Sequence, residues 1–385
     1  MVTRKIYPKT QEEVSLLGFG CMRFPVIDGD DSRIDYEKSL EMIDFAYKNG
    51  VNYFDTAYGY HGGESEKFVG VALKKYERES FFLASKMPPW FVKEESDLER
   101  IFNEQLERCQ VDYFDFYLEH SLNEENYNKL ESFNTYEFLM NKKKEGKIRN
   151  LGFSFHGSLE CLERIVSDHE WDFVQLQYNY LDTEISNTKK EYEIIKKHNL
   201  PLIVMEPVRG GALANLCEDA NAILKSARPE ESIASWAIRF AASNDSILTV
   251  LSGMSDENQV ADNIRTMTDF EKITENDEKA LNKAVKIFKD YFTIPCTKCR
   301  YCTKDCPQGI DIPEMLNIWG KYKLEKRADD YKNRYNKVEG AKANDCISCR
   351  LCESYCPQNI SIADIMNSMK EFNSSLSITD LRGIL

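Results

Sequence analysis

The sequence predicts an α/β protein in which a (β/α)8 barrel of the TIM type is followed by a small, mainly α-helical domain. Three observations carry that prediction. Eight short apolar runs alternate with amphipathic stretches over the first two-thirds of the 385 residues, the alternation expected of strands and helices in a barrel of about 250 residues. The apolar runs end in polar and ionisable residues, where a barrel of this kind carries its chemistry. Eight of the 12 cysteines fall in two identical runs near the C-terminus. The expected bounds are 1–270 for the barrel, 271–294 for a connecting helix and 295–385 for the cysteine-bearing domain.

In order, the expected strands are Leu16–Phe19, Val51–Ala57, Phe81–Met87, Tyr113–Leu118, Asn150–Phe155, Phe173–Tyr178, Leu202–Glu206 and Ile247–Gly253. The expected helices between them are Tyr36–Asn49, Ser65–Tyr76, Leu98–Cys109, Tyr127–Lys144, Leu159–His169, Thr188–His198 and Glu231–Ala242. Asp35, Ser96, Ser158 and Asn187 precede or open several of these as capping residues. A doubly wound sheet is the alternative, weakened because no G-x-G-x-x-G follows the first strand. A further amphipathic stretch, Ile273–Phe292, carries Leu281, Val285 and Phe288 at helical spacing and reads as the connector ending at Pro295.

Bulk properties exclude some functions. A net charge of −14 argues against nucleic-acid binding, which needs basic surface. No apolar stretch is long enough to span a membrane, and Met1 to Gly18 lacks the apolar core of a signal peptide. Cys21, Cys109, Cys161 and Cys217 read as small buried hydrophobes. A reducing cytoplasm is the expected location. Residues 295–385 hold 14 Lys+Arg against 12 Asp+Glu, so the acidic excess lies in the barrel. Two oxidised clusters with four thiolates each would bring that tail to roughly −2, still its less acidic end and able to accept an acidic electron carrier. A mixed, solvated surface explains the same numbers.

Cys296, Cys299, Cys302 and Cys306 fall at C-x2-C-x2-C-x3-C, followed by Pro307; Cys346, Cys349, Cys352 and Cys356 repeat the spacing, followed by Pro357. Bacterial ferredoxins ligate [4Fe–4S] clusters with this run, the fourth cysteine usually serving the other cluster. Zinc is the alternative, but its all-cysteine sites are built from separated C-x2-C pairs. The reading is two [4Fe–4S] clusters. Cys306 and Cys346 are separated by 39 residues, with Ile312–Tyr335 reading as helix, so the tail resembles the α-helical ferredoxin domains of larger redox enzymes. Gly309 and Asn359, each followed by Ile, mark the two halves as internal repeats.

The strand ends of the barrel carry Phe54-Asp55-Thr56-Ala57-Tyr58-Gly59-Tyr60, then Ser85-Lys86, then His120. In order and spacing these residues resemble the aldo-keto reductases over roughly Val14 to Met267. The resemblance implies a catalytic tetrad of Asp55, Tyr60, Lys86 and His120 that interconverts a carbonyl and an alcohol. A free tyrosine, with a pKa of ~10, is a poor acid near neutrality. A lysine beside Tyr60 would lower that value, Asp55 would fix the lysine, and His120 would orient the substrate oxygen.

The same resemblance assigns the nicotinamide carboxamide to Ser154 and Gln177, and the adenosine end to Gly253, Ser255, Gln259 and Asn263. Pro207, Val208 and the Gly210-Gly211 pair suit a loop passing close to a pyrophosphate, and Gly20 and Met22 lie at the end of the first strand among the cofactor contacts. Phe155 stands where the family usually has asparagine, and Met205 where an aromatic stacks on the nicotinamide; a thioether can still lie against an aromatic face. Gly253 and Gln259 replace the basic residues that hold a 2′-phosphate in many members. NAD(H) or NADP(H) is therefore expected, with a lean to NADH; a flavin is compatible but no motif indicates one.

Three functions stay open on the sequence. In the first, a carbonyl/alcohol oxidoreductase passes electrons through its clusters to or from a partner, such as a small electron-carrier protein, or a second cofactor. In the second, a conventional NAD(P)H-dependent reductase of small aldehydes or ketones has structural clusters. In the third, the barrel is non-catalytic and the chain is an electron-transfer module, which the intact tetrad disfavours. The substrate itself is set by loops that sequence does not specify.

Overall fold

The computed structural model describes residues 1–289 and 294–382. The expected connector therefore loses 290–293, and the C-terminal domain its last three residues, from the described chain. Two compact units emerge: one of 1–209, 213–215 and 221–283, the other of 210–212, 216–220 and 284–385.

The first unit opens with a hairpin that the sequence reading missed, β1 (Arg4–Ile6) and β2 (Glu13–Ser15), paired antiparallel with Lys5 opposite Val14. Eight parallel strands then close a barrel: β3 (Leu17–Gly20), β4 (Tyr53–Asp55), β5 (Phe82–Met87), β6 (Phe114–Leu122), β7 (Ile148–Phe155), β8 (Phe173–Gln177), β9 (Leu202–Met205) and β10 (Ile247–Ser252), with β10 pairing β3. Each of the eight expected strands is present. Both faces of such strands are buried, so they read as apolar runs. Tyr53, Phe82, Phe116 and Phe173 fill the barrel interior at the strand starts, and Tyr7 of the hairpin joins them, its ring 5.4 Å from Phe116. One end of the barrel is thus packed solid, which leaves the other end for chemistry.

Helices cover the outside. The helix Ser96–Cys109 buries Leu98, Ile101, Phe102, Gln105 and Cys109, one stripe at helical spacing. Ser96 is not its cap; Asp97 instead accepts from the backbone N–H groups of Lys93 and Glu94. Asp35 and Ser158 do cap their helices, accepting from Lys38 and Cys161 backbone N–H groups, whereas Asn187 makes no side-chain cap bond. The expected single helix Tyr127–Lys144 is two, Glu124–Ser132 and Thr135–Lys144, because Asn134 adopts φ +53° between them. Cys21, Cys109 and Cys161 are buried as expected; Cys217 is half-buried.

In the second unit, Ile312–Tyr335 is likewise two helices, Ile312–Glu325 and Ala328–Lys337, followed by a short turn of helix Leu351–Ser354 and the long Ile362–Arg382. Met315, Leu316, Ile318, Trp319, Tyr331 and Met366 form its core, and Cys302 is part of it. The repeat is visible in the backbone. Lys298 and Ser348 have φ +55° and +57°, and Arg300 and Arg350 have +65° and +60°. The N–H groups of Lys298 and Ser348 each point at the preceding Cys296 or Cys346 Sγ at 3.4 Å. Gly309 and Asn359, at φ +65° and +49°, then turn the chain back through bonds to the Cys306 and Cys356 carbonyls.

Candidate active site and cluster sites

Strands β4 and β5 are in register, with Asp55 opposite Ala84, which brings their ends together. The Lys86 ammonium, fully buried, donates to Asp55 Oδ1 at 2.7 Å, to the Thr56 carbonyl at 2.7 Å and to Tyr60 Oη at 3.3 Å. Its Nζ also lies 4.8 Å from the Tyr60 ring centroid. An ammonium has three protons and no acceptor, so these three contacts define its orientation. They also make Tyr60 Oη an acceptor from Lys86, directing the phenolic proton elsewhere. Burial raises the pKa of Asp55, and Lys86 opposes that rise through charge and a hydrogen bond.

Tyr60 is placed by an unusual turn. His61, Gly62 and Gly63 follow it with φ of +52°, +65° and +98°. His61 is held there by Asp31, whose carbonyl lies 2.8 Å from His61 Nδ1. His120 completes the group, its ring 6.1 Å from that of Tyr60 and 5.1 Å from that of Trp90. Burial, then the charge on Lys86, then His156 hold the His120 pKa well below the usual imidazole range. His120 is therefore neutral near pH 7. Just beyond it β6 loses register with β7, between Glu119 and Leu122, and Ser121 takes φ +57°; such irregularities re-aim side chains beside functional sites.

Behind Lys86 lies a buried network that sequence reasoning missed. Glu66 Oε1 accepts from Ser85 Oγ and from Gln105 Nε2, both at 2.7 Å. Gln105 Nε2 also reaches the Lys86 carbonyl at 3.0 Å, and Tyr117 donates to Gln105 Oε1 at 2.5 Å. The network fixes the backbone from which Lys86 projects. Glu66 and Gln105 lie on two different helices, so no local pattern links them to Ser85. Trp90 was also not selected from sequence.

The residues assigned to a nucleotide are distributed over several strand ends. Ser154 is buried, its Oγ accepting from the Ser121 N–H at 2.7 Å. Gln177 donates through Nε2 to Asp182 at 2.5 Å, and Asp182 also receives Asn179 and the Arg209 guanidinium. Met205, half-buried at the end of β9, lies 3.7 Å through its sulfur from Gln175 Nε2. Asn263 donates to Ser252 Oγ at 2.7 Å, and Gln259 accepts from the Ser255 N–H at 2.9 Å. Gly20 and Gly253 stand at neighbouring strand ends, an added Cβ on Gly20 coming 3.4 Å from Gly253 N. Met22 lies just past β3, half-buried; Pro207 is buried and Val208 half-buried in the loop after β9. Gly210, from the same loop, falls in the second unit.

In the second unit two cavities are lined by cysteines. Cys296, Cys299, Cys302 and Cys356 line one, with Leu316 and Ile360. Cys346, Cys349, Cys352 and Cys306 line the other, with Ile347 and Met366. Each set takes three cysteines from one run and the fourth from the other. The thiols respond to the same neighbours: burial first, then Cys299, Cys356 and Cys296, push Cys302 up. For Cys352, pushed up to about 12, burial leads, followed by Glu353, Cys346, Cys349 and Cys306. Among the described residues no three Cys, His, Asp or Glu side chains converge tightly enough to hold a single ion; the sulfurs surround cavities instead. Four sulfurs around a mostly apolar hollow fit a cubane cluster.

The pattern that defines the aldo/keto reductase family matches residues 16–286. The chain belongs to the aldo-keto reductases. A 4Fe-4S dicluster domain matches residues 295–361 of this aldo-keto reductase, so the protein is an oxidoreductase with an iron–sulfur domain attached. Its relatives include an L-galactose dehydrogenase of Arabidopsis thaliana, 26% identical over 285 residues, which are 68% of this chain and 86% of that protein. Another is an NADH-specific methylglyoxal reductase of Escherichia coli, 25% identical over 307 residues, 67% of this chain and 91% of that one. Among solved structures, the holo form of an aldo-keto reductase from Bacillus halodurans has a TM-score of 0.60 at 24% identity, covering 74% of this chain and 96% of its own. An aldo-keto reductase from Klebsiella pneumoniae in complex with NADPH has a TM-score of 0.58 at 18% identity, covering 75% and 96%. Both share the fold of the barrel. No helix among the described residues is long and apolar enough to cross a membrane.

Proposed function

We propose that this aldo-keto reductase interconverts a small carbonyl compound and its alcohol with a nicotinamide nucleotide at the barrel rim. We further propose that two [4Fe–4S] clusters in the second unit carry electrons to or from a partner. The observation that carries the first part is the buried Lys86 ammonium touching both Tyr60 Oη and Asp55. A nicotinamide, when bound, supplies or accepts hydride at the substrate carbon. Tyr60 supplies the matching proton to the developing alkoxide, and in the reverse direction receives it. Lys86 stabilises the phenolate left behind, because an opposite charge at hydrogen-bond distance favours the ionised form. Asp55 and the Thr56 carbonyl keep Lys86 in place. His120, neutral, donates a hydrogen bond to the substrate oxygen and orients it toward Tyr60.

Ser154 and Gln177 are the residues we assign to the carboxamide, with Ser255, Gln259 and Asn263 at the adenosine end; Gly20 and Gly253 lie close together at neighbouring strand ends, where a Cβ on Gly253 would come 2.7 Å from Arg23 Cγ. NADH is preferred in this reading because Gly253 and Gln259 supply no cation for a 2′-phosphate. The NADH-specific Escherichia coli relative supports that preference, while the NADPH-bound Klebsiella pneumoniae structure is a reminder that the fold serves both. Hydride carries two electrons and each cluster accepts one. The route between them needs a carrier that takes pairs and releases single electrons, and we assign it to a flavin-bearing or similar partner protein.

A second reading has its own observation: Cys302 is buried in the core of the second unit, as structural clusters would require. One experiment separates the two. Anaerobically reconstituted protein is mixed with NADH and a small aldehyde, with and without candidate carriers, and cluster absorbance and low-temperature EPR are followed together. Cluster reduction at the rate of turnover supports the electron-carrying reading. Turnover with clusters that dithionite reduces but NADH never does, whatever the carrier, assigns the clusters to structure.

A further inference from the structure

The loop that follows β9 belongs to both units. Residues 206–209 and 213–215 group with the barrel, and 210–212 with the cysteine-bearing unit. Within that second unit, Gly210 is pressed against the first cysteine run: a Cβ added to it would lie 2.0 Å from the Thr297 carbonyl oxygen. Thr297 is 3% exposed and sits between the ligand candidates Cys296 and Cys299. At φ +60° Gly210 also occupies backbone space that other residues enter at a cost.

One peptide bond away, Arg209 is anchored inside the barrel. It is 2% exposed, and its Nε donates to Asp182 Oδ1 at 2.7 Å. Asp182 Oδ2 accepts from Gln177 Nε2 and from Asn179, and Asn179 also donates to the Glu206 carbonyl at 3.1 Å. Because a carboxylate only accepts, this pairing turns the amide nitrogen of Gln177 toward Asp182 and sets the direction of its carbonyl oxygen. The loop between the anchors is not a relaxed one. Glu206 and Arg209, neither of them glycine, hold φ of +53° and +51°, conformations that persist only when surrounding contacts over-determine them.

We propose that Gly210 and Arg209 form a tie through which an ordered first cysteine run positions Gln177, so that occupancy of the first cluster and nicotinamide affinity are linked. The tie runs Thr297, Gly210, Arg209, Asp182, Gln177, each step a contact within one unit or the peptide bond itself. It rests on the nicotinamide reading only at its last step. When the first run lacks its cluster, the Thr297 carbonyl loses its fixed position, the strained loop relaxes, and Gln177 loses the partner geometry that presents its amide. Linkage requires the reverse as well: bound nicotinamide stabilises the loaded first run.

The test uses the full-length, anaerobically reconstituted protein, its Gly210→Ala variant, which keeps all eight cysteines, and a Cys299→Ser variant. Amide hydrogen exchange over 206–213, iron content and NADH affinity by fluorescence titration are measured on each. Faster exchange over 206–213 in both variants, with at least about fivefold weaker NADH binding and unchanged iron in Gly210→Ala, supports the tie. Unchanged exchange in Gly210→Ala at full iron content overturns it. Faster exchange with unaltered NADH affinity overturns the link to the nucleotide. If the parent protein binds no NADH while exchange still responds, the nicotinamide reading has failed and the tie has not.

Discussion

Replacing Glu119 should stabilise the protein at alkaline pH. It lies on β6 beside His120, fully buried, and neither carboxylate oxygen has a hydrogen-bond partner among the described residues. Burial, with a smaller push from Glu131, raises its pKa to about 8 from the 4.5 of a free glutamate. A carboxyl raised in the folded state binds a proton there that the unfolded chain has already released. Stability is then fully present below the unfolded pKa of about 4.5 and falls as pH rises toward about 8, above which the loss is complete. At 1.36 kcal/mol per unit, the loss is on the order of 4–5 kcal/mol. Glu119→Gln keeps the shape and removes the titration. Urea unfolding of the barrel, followed by near-UV circular dichroism between pH 5 and pH 9, should give similar stabilities at the acid end and a variant several kcal/mol more stable at the alkaline end. Parallel stability curves for the two proteins across that range would refute the argument, whatever their absolute heights.

The remaining expectations concern the two sites. Tyr60→Phe should lower turnover of a small aldehyde by about 10²–10⁴-fold with iron content unchanged, and retained turnover would remove Tyr60 from the proton transfer. Lys86→Met should cost about 3–5 kcal/mol in unfolding free energy by leaving Asp55 charged and unpaired, and adding Asp55→Asn should recover much of it; a double variant as unstable as the single one would mean that the pair is not the cause. Because the cysteine sets cross between runs, Cys299→Ser with Cys356→Ser should disturb one cluster and Cys299→Ser with Cys306→Ser both, read as iron per protein, and the reverse pattern would assign each run to its own cluster. Thr297 is 3% exposed and its counterpart Ile347 60%, so an anaerobic redox titration should resolve two midpoint potentials, since solvent exposure tunes these clusters; a single potential would show that the difference in cover does not reach the iron.

The barrel was legible because its strands are apolar on both faces and sit between stretches of clear helical period. The hairpin of β1 and β2 was not, since strands of three residues leave no period to read. The helix break at Asn134 escaped for a related reason: an asparagine can enter the left-handed region without the glycine or proline that usually announces it. In the site, Asp55, Tyr60, Lys86 and His120 could be singled out because their order and spacing near the ends of apolar runs resemble the aldo-keto reductase tetrad. The Glu66–Ser85–Gln105 network could not, because its members meet only once two helices pack on β5. The cysteine spacing carried both the two runs and the expected exchange of the fourth cysteine between them, and the two cavities are lined in that crossed way. Gly210 marks the limit of local reading. Its sequence context suits a phosphate-binding loop, while its environment is a carbonyl from a cysteine run more than eighty residues away.

The different partners of Lys86 and His120 matter in the proposed mechanism. Lys86 has Asp55, a backbone carbonyl and a phenol oxygen as compensation, all within 3.3 Å. For His120, burial, then the charge on Lys86, then His156 hold the pKa well below the usual imidazole range. A protonated His120 beside the substrate would compete with Tyr60 as acid and would repel Lys86. A neutral one can orient the oxygen while leaving the proton to Tyr60. The division of labour therefore does not need two differently tuned acids. It needs a carboxylate, Asp55, beside the lysine and a buried imidazole next to the same cation, and Glu119, next to His120 in sequence on β6, adds little charge there because burial keeps its carboxyl largely protonated below about pH 8.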